Sequence, residues 1–252
     1  MSTLENVLVE DRGAVRLITL NRTAKKNAFN IALAADLTHA LHAANTADAV
    51  RVVVVTNAGD TFSAGVDLKM FSEMSGGGDV SMVTTIEQQL LKMQKPILAA
   101  VNGRAVGMGV TLLPFFDMVY ASDTATFTTP FVKLGIVLEY GSSYLLPRLI
   151  GRQRTNELIL RAAPIDAATA ENWGLVTRVF PAAALVAEVL AIAGDVAGNG
   201  PHSIRKCREL ISQGQNSTLQ ESIDREWNVL MGCYASEEFA TAILNFASKP
   251  KP

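Results

Sequence analysis

The residues that could do chemistry in this 252-residue sequence are few, and they gather around two glycine turns and one carboxylate. FSAGVDL (62–68) follows an apolar β-branched run at 50–56, and NGRAVGMG (102–109) follows another apolar run at 97–101. In both, small residues and glycine take over where a buried strand would end. That leaves backbone N–H groups uncovered at the strand edge where α/β proteins bind ligands. Two such groups converging on one oxygen stabilise a developing negative charge. The first stretch also reads as a plain tight turn, with Gly65 supplying left-handed backbone and Asp67 capping a following helix. The best placed acid is Glu139, in LGIVLEYGSS. Its apolar neighbours Ile136, Val137 and Leu138 would strip it of water and lift its pKa toward the range useful for proton transfer. A solvent-exposed loop glutamate is the alternative.

Other chemistries find little support. No serine occupies a GxSxG elbow. His39 and His42 fall on one helical pattern and His202 opens another, so all three read as surface or structural residues. Cys207 and Cys233 are too few and too far apart for a zinc site or a disulfide framework, which leaves no metal site and favours a reducing compartment. GMG lacks the third glycine of a dinucleotide fingerprint, and SEMSGGGD (72–79) lacks the spacing and lysine of a phosphate loop and reads as mobile. A net charge of -2 and a pI near 6.0 argue against nucleic acid, and Lys25-Lys26 is no basic patch. No apolar run reaches the roughly 18 residues of a membrane helix. The first residues, MSTLENVLVEDRG, lack the apolar core of a signal peptide, and the ending SKPKP is no peroxisomal address. A cytoplasmic protein is expected.

The elements that must hold the turns follow from periodicity. With 49% hydrophobic residues the chain can bury a large core. Residues 6–10 and 14–20 read as a hairpin around Asp11-Arg12-Gly13. Asn30 reads as the cap of a helix to about residue 47, and 50–56 as a strand buried on both faces. A short helix to about residue 70, a helix at 81–94, a strand at 97–101, a helix at 110–116 and strands at 118–121 and 124–129 follow. This alternation implies a mostly parallel α/β sheet. A composition shift at 150–155 opens a helical half, with patterns at 156–162, 167–173, 182–197, 201–212 and 218–234 and one short strand at 176–180.

With NRTAKKNAFN (21–30), FSAGVDL (62–68), VNGRAVGMG (101–109) and the GLV of 174–176 in order, the chain resembles the crotonase superfamily, the enoyl-CoA hydratase/isomerase family. The resemblance implies a crotonase (ClpP-like) spiral of repeated ββα units over 1–195. It also implies a helical C-terminal region over 196–252, used to form a homotrimer or a dimer of trimers. It implies an acyl-CoA thioester as substrate, with no separate cofactor. The thioester oxygen would be held by the Val66 and Met108 N–H groups. The CoA portion would pass near Lys26 and Ala28 and along Ala64, Gly65, Asp67, Leu68 and Lys69.

The departures from the family pattern matter as much. Hydratases of the family carry two glutamates where this chain has Thr111 and Phe131, and neither can ionise to activate water. Glu139 falls where the family's Δ3,Δ2-enoyl-CoA isomerases carry their single acid, and Met108 also resembles those enzymes. The resemblance therefore implies an isomerase that moves a double bond from the 3 to the 2 position. The rivals are hydration or another acyl-CoA reaction through Glu87 or Tyr140, with Glu87 otherwise an ordinary solvated helix residue, and a non-catalytic acyl-CoA-binding protein. Phe71, Met70, Met74 and Met82 could wall an acyl pocket or be ordinary core.

Overall fold

Strand residues buried on both faces must lie between two layers, and such strands form the centre of the larger sheet. The computed structural model describes residues 4–70, 76–77 and 81–247. Its six-stranded sheet runs β1 (Val7–Arg12), β2 (Val15–Leu20), β3 (Val52–Asn57), β5 (Ile97–Val101), β7 (Met118–Ser122), β10 (Arg178–Phe180). In this sheet the β1–β2 hairpin is antiparallel and the other pairings are parallel. The hairpin turn falls on Gly13-Ala14 rather than on residues 11–13, because Asp11 and Arg12 stay paired with Arg16 and Val15.

A second sheet orders β4 (Thr61–Ser63), β6 (Arg104–Val106), β8 (Thr126–Thr128) and β9 (Ile165–Asp166). The strand pairs β3–β4, β5–β6 and β7–β8 each add one strand to either sheet, so the chain advances as a spiral of ββα units. This corrects the turn reading at two places. FSAG and NGRA are not turns alone: β4 runs into the first and β6 runs out of the second, each a three-residue strand of the second sheet, too short to show an alternating pattern.

The period-two geometry of strands sorts the core into two layers. Val53, Val55, Ile97, Ala99 and Val101 face one way, toward Leu33, Leu37 and Leu41 of α1 (Ile31–Thr46) and Ile86 and Leu90 of α2 (Ser81–Leu91). Val52, Val54, Leu98 and Ala100 face the other way, toward a helix introduced below that carries Leu185, Val189, Ala193 and Ala197. Asn30 caps α1 as expected, its Oδ1 accepting the Leu33 N–H at 2.9 Å. The helix expected at 110–116 is only α3 (Met108–Thr111), continued by a 3₁₀ turn over Leu113–Phe115.

The helical half contains α4 (Ser142–Ile150), α5 (Arg152–Arg161), α6 (Ala167–Trp173), α7 (Leu185–Gly198), α8 (Pro201–Gly214), α9 (Leu219–Tyr234) and α10 (Glu237–Ala247). The helix that covers the second core layer is α7. Periodicity missed α4, which carries Pro147 inside it, and α10. Neither α8 nor α9 buries a residue, and Ile211, Leu219, Trp227, Tyr234 and Phe246 stand exposed. Among the described residues no helix is long and apolar enough to cross a membrane. Phe71 and Met74 of the suggested acyl wall, the side chain of Met82, and most of 72–79 lie outside the described residues.

Candidate active site

The first glycine turn is held against the loop that precedes α1. Phe29 donates its N–H to Gly65 O at 2.7 Å and accepts the Asp67 N–H at 2.8 Å, and Ala64 N–H binds Lys26 O at 2.9 Å. Neighbouring strand residues point their polar groups to opposite sides. Val66, between the two bonded residues, therefore turns its own N–H away from Phe29. Buried Asn27, at φ +52°, stitches the loop further, accepting the Arg22 N–H and donating to Ala58 O and Thr61 O. Arg22 in turn reaches both Ala28 O at 2.9 Å and Asp67 Oδ2 at 2.7 Å. The predicted CoA-contacting residues Lys26, Ala28, Ala64, Gly65, Asp67, Leu68 and Lys69 are thus brought into one strip, with Lys26, Leu68 and Lys69 exposed and Ala28 and Gly65 buried.

The second turn lies directly against the first. Gly65 sits at φ +87°, and a Cβ there would stand 2.9 Å from Val106 O and 3.8 Å from Met108 N. Gly107, at φ +52°, turns the chain into α3, whose first residue is Met108. A first helical residue has no carbonyl inside its helix to bind, so the Met108 N–H is left at the open end. The Met108 side chain is buried in the core at 1% exposure, which leaves its backbone as the part that can face a ligand. Phe131, also buried, places its ring 3.9 Å from where a Gly107 Cβ would be.

One turn along α3 from Met108 is Thr111, fully buried, and its hydroxyl donates to Glu139 Oε1 at 2.8 Å. Glu139 is partly buried, and its carbonyl accepts the Ser142 N–H at 3.0 Å. The next residue, Tyr140, adopts φ +52°, a left-handed conformation unusual for a bulky side chain, and swings the chain into α4. Its ring is buried edge-on against Phe115 at 6.2 Å, and its hydroxyl has no hydrogen-bond partner among the described residues.

Burial raises the Glu139 carboxyl above its ordinary value; the Thr111 hydroxyl pulls it partly back, and the charge of Glu87 on α2 pushes it up again. Burial likewise pushes the Tyr140 phenol up, with Glu139 and then Glu87 adding to the effect. At the first turn the order is reversed. Asp67 is held below its ordinary value, first by the hydrogen bond from Arg22. The site therefore sets backbone N–H groups at two adjoining turns and, one helical turn away, a carboxyl that holds its proton more tightly than usual.

The structure brings together Val66, Met108 and Glu139 through this chain of contacts: turn against turn, then α3, then Thr111. Glu87, read from sequence as a solvated helix residue, instead lies where its charge reaches Glu139 and Tyr140. Sequence reasoning missed Arg22, Asn27 and Thr111 as organisers. Asn27 left a faint signal, a polar residue tolerant of left-handed backbone just before Ala28-Phe29; the other two left none. His39 and His42 are exposed on α1 as expected, and no group of three or more His, Cys, Asp or Glu among the described residues is arranged to hold a metal.

Comparison with known proteins agrees on the family and divides between isomerases and hydratases. The sequence profile of a family described as enoyl-CoA hydratase/isomerase matches residues 10–252. The chain is 38% identical to enoyl-CoA delta isomerase 2 of Rattus norvegicus over 98% of its own length, but it spans only 65% of that protein. It is 31% identical to 2,3-dehydroadipyl-CoA hydratase of Escherichia coli (strain K12), covering 99% of this chain and 98% of the relative. A solved enoyl-CoA hydratase of Bacillus anthracis superposes with a TM-score of 0.92 at 32% identity, over 98% of both chains.

Proposed function

Because the chain belongs to the enoyl-CoA hydratase/isomerase family, we propose that it isomerises an enoyl-CoA, moving the double bond from the 3 to the 2 position. The observation that carries this reading is Glu139, a carboxylate partly removed from water and bound to Thr111 one turn from the Met108 N–H. In this mechanism Glu139 takes the C2 proton, which the thioester acidifies. The N–H groups of Val66 and Met108 hold the dienolate oxygen as its charge develops. Protonated Glu139 then gives the proton to C4, and the remaining electron pair closes the C2–C3 double bond. A single carboxylate serves both transfers. Lys26, Ala28 and the strip from Ala64 to Lys69 would cradle the CoA portion, and the exposed apolar helices α8–α10 would be covered in a homotrimer or dimer of trimers.

The test is to supply pure protein with 3-enoyl-CoA and 2-enoyl-CoA separately and identify the products. Glu139→Gln should bind CoA esters and stay folded while turnover falls by at least about 10²-fold, the usual scale of general-base catalysis. Near-normal turnover in that variant would remove Glu139 from the mechanism. Hydration is the second reading, favoured by the reach of the Glu87 charge to Glu139. It requires 3-hydroxyacyl-CoA from 2-enoyl-CoA, lost in Glu87→Gln.

A further inference from the structure

Thr111 stands where the family's hydratases carry a glutamate, yet its side chain is engaged with the site. We propose that Thr111 is the positioning residue of the acid–base centre: its hydroxyl holds Oε1 of Glu139 and leaves Oε2 to carry the proton from C2 to C4. This rests on Glu139 being the base proposed above. The Thr111 hydroxyl lies 2.8 Å from Oε1 and 3.5 Å from the carbonyls of both Gly107 and Met108. It has one proton to give. While Glu139 is ionised, the short contact to the charged oxygen takes that proton, because hydrogen bonds to a carboxylate are the stronger kind.

When the C2–H bond breaks, its electron pair stays with the dienolate and its proton goes to Oε2. The carboxyl is then neutral and a poorer acceptor, and the Thr111 hydroxyl can turn to the helix carbonyls at its back. One group thereby serves both protonation states, with no rebuilding of the site between them. The backbone of Glu139 is fixed, its carbonyl by Ser142 and its chain direction by the left-handed Tyr140, so the freedom left to the carboxylate lies in its side-chain torsions, which the Thr111 contact restricts. Among the described residues, the groups acting on this carboxylate are Thr111 from α3 and Glu87 from α2, and the carboxylate in turn acts on its neighbour Tyr140.

Thr111→Val keeps the side-chain shape and deletes the donor, and Thr111→Ser restores it. For Thr111→Val the expected result on 3-enoyl-CoA is kcat lower by about tenfold at neutral pH with KM nearly unchanged. The acid limb of kcat/KM should move upward by about one pH unit, the scale of a lost hydrogen bond to a charged group. Thr111→Ser should return both toward the parent. An unshifted profile in Thr111→Val, or a folded Thr111→Ser as impaired as Thr111→Val, would overturn the inference. Circular dichroism checks folding, and Thr111→Ala carries the same comparison if the valine variant does not fold. Glu139→Gln separates the two claims: high turnover there defeats the base itself, whereas an inactive Glu139→Gln beside an unaltered Thr111→Val defeats only the role of Thr111.

Discussion

Asp67 and Glu139 are carboxylates attached to adjoining glycine turns, and their surroundings drive them apart. Asp67 is bound by the Arg22 guanidinium at 2.7 Å and held low in pKa. Among the described residues Glu139 has no cation on it, only a hydroxyl, and burial raises it. The first turn is a polar joint, locked by Arg22, Asn27 and Ser63 to the loop before α1. The second is set in the apolar core by Met108, Val110 and Phe131. A carboxylate kept charged by a fixed partner is a strut, and one kept short of water is a candidate acid or base. On the mechanism proposed above, the same functional group has a structural task at one turn and a chemical one at the other.

The largest effect should come from forcing the two turns apart. Gly65→Ala places a Cβ 2.9 Å from the Val106 carbonyl at a left-handed φ of +87°, and that backbone acceptor has no flexible end to give way. The turns must separate, carrying the Val66 N–H away from the Met108 N–H. Loss of one such donor lowers kcat by about 10²–10³-fold. Gly107→Ala sharpens the comparison, since the nearest atom to its Cβ is the Phe131 ring at 3.9 Å. At φ +52° and ψ −114° its backbone lies outside the left-handed helical well, so it should cost stability through strain, roughly 1–3 kcal/mol, with a smaller loss of turnover. Steady-state kinetics beside thermal melts would show it; equal kinetic damage in both variants would mean that contact between the turns does not set the donors.

A smaller effect is expected from breaking the polar joint alone. Arg22→Gln carries no charge and ends two bonds short of the Nη1 that binds both Asp67 and the Ala28 carbonyl, so it gives up both contacts. Both partners keep a little solvent, with side chains 18% and 15% exposed, so the loss should be roughly 1–2 kcal/mol, below the full value of a buried charged pair. In a chain this long that is about 2–8 °C in Tm. Asp67 is depressed in the folded state, so its contribution is present above the unfolded carboxyl pKa of about 3.9 and disappears as pH falls through the folded value. The Tm gap between Arg22→Gln and the parent should therefore close on acidification. A gap independent of pH would point to packing of the arginine stem.

What could be read from sequence and what could not divides along the same line. The strands β3 and β5 announce themselves, because residues buried on both faces leave an unbroken apolar run. The strands β4 and β6 do not, since three residues beside a glycine have no period to detect. The helix α4 is masked by Pro147 and by its entry through two left-handed residues, Tyr140 and Gly141. Glu139 is partly buried as its apolar neighbours suggest, but not by them: Ile136 and Val137 stand exposed, and the burial comes from how the loop packs. Its contact with Thr111 joins residues 28 apart, and the Arg22–Asp67 pair spans 45. Such pairings are made by the winding of the spiral, and nothing in local pattern encodes them.

The smallest effect tests whether the second carboxylate really is held against its solvation preference. A buried carboxyl with a raised pKa binds its proton more tightly in the folded state than in the unfolded chain. Below the unfolded pKa of about 4.3 both states are protonated and folding is not penalised. As pH rises the unfolded chain releases its proton first, and stability declines until the folded pKa has been passed. Glu139→Gln is neutral throughout and still offers an oxygen to the Thr111 hydroxyl, so it escapes that decline. The variant that loses turnover should melt above the parent at neutral pH, each kcal/mol relieved showing as about 2–4 °C. The two melting curves should converge near pH 4. A parent that melts as high as Glu139→Gln at pH 8 would mean that the site solvates its carboxylate fully, and the contrast with Asp67 would then lie in partner alone and not in burial.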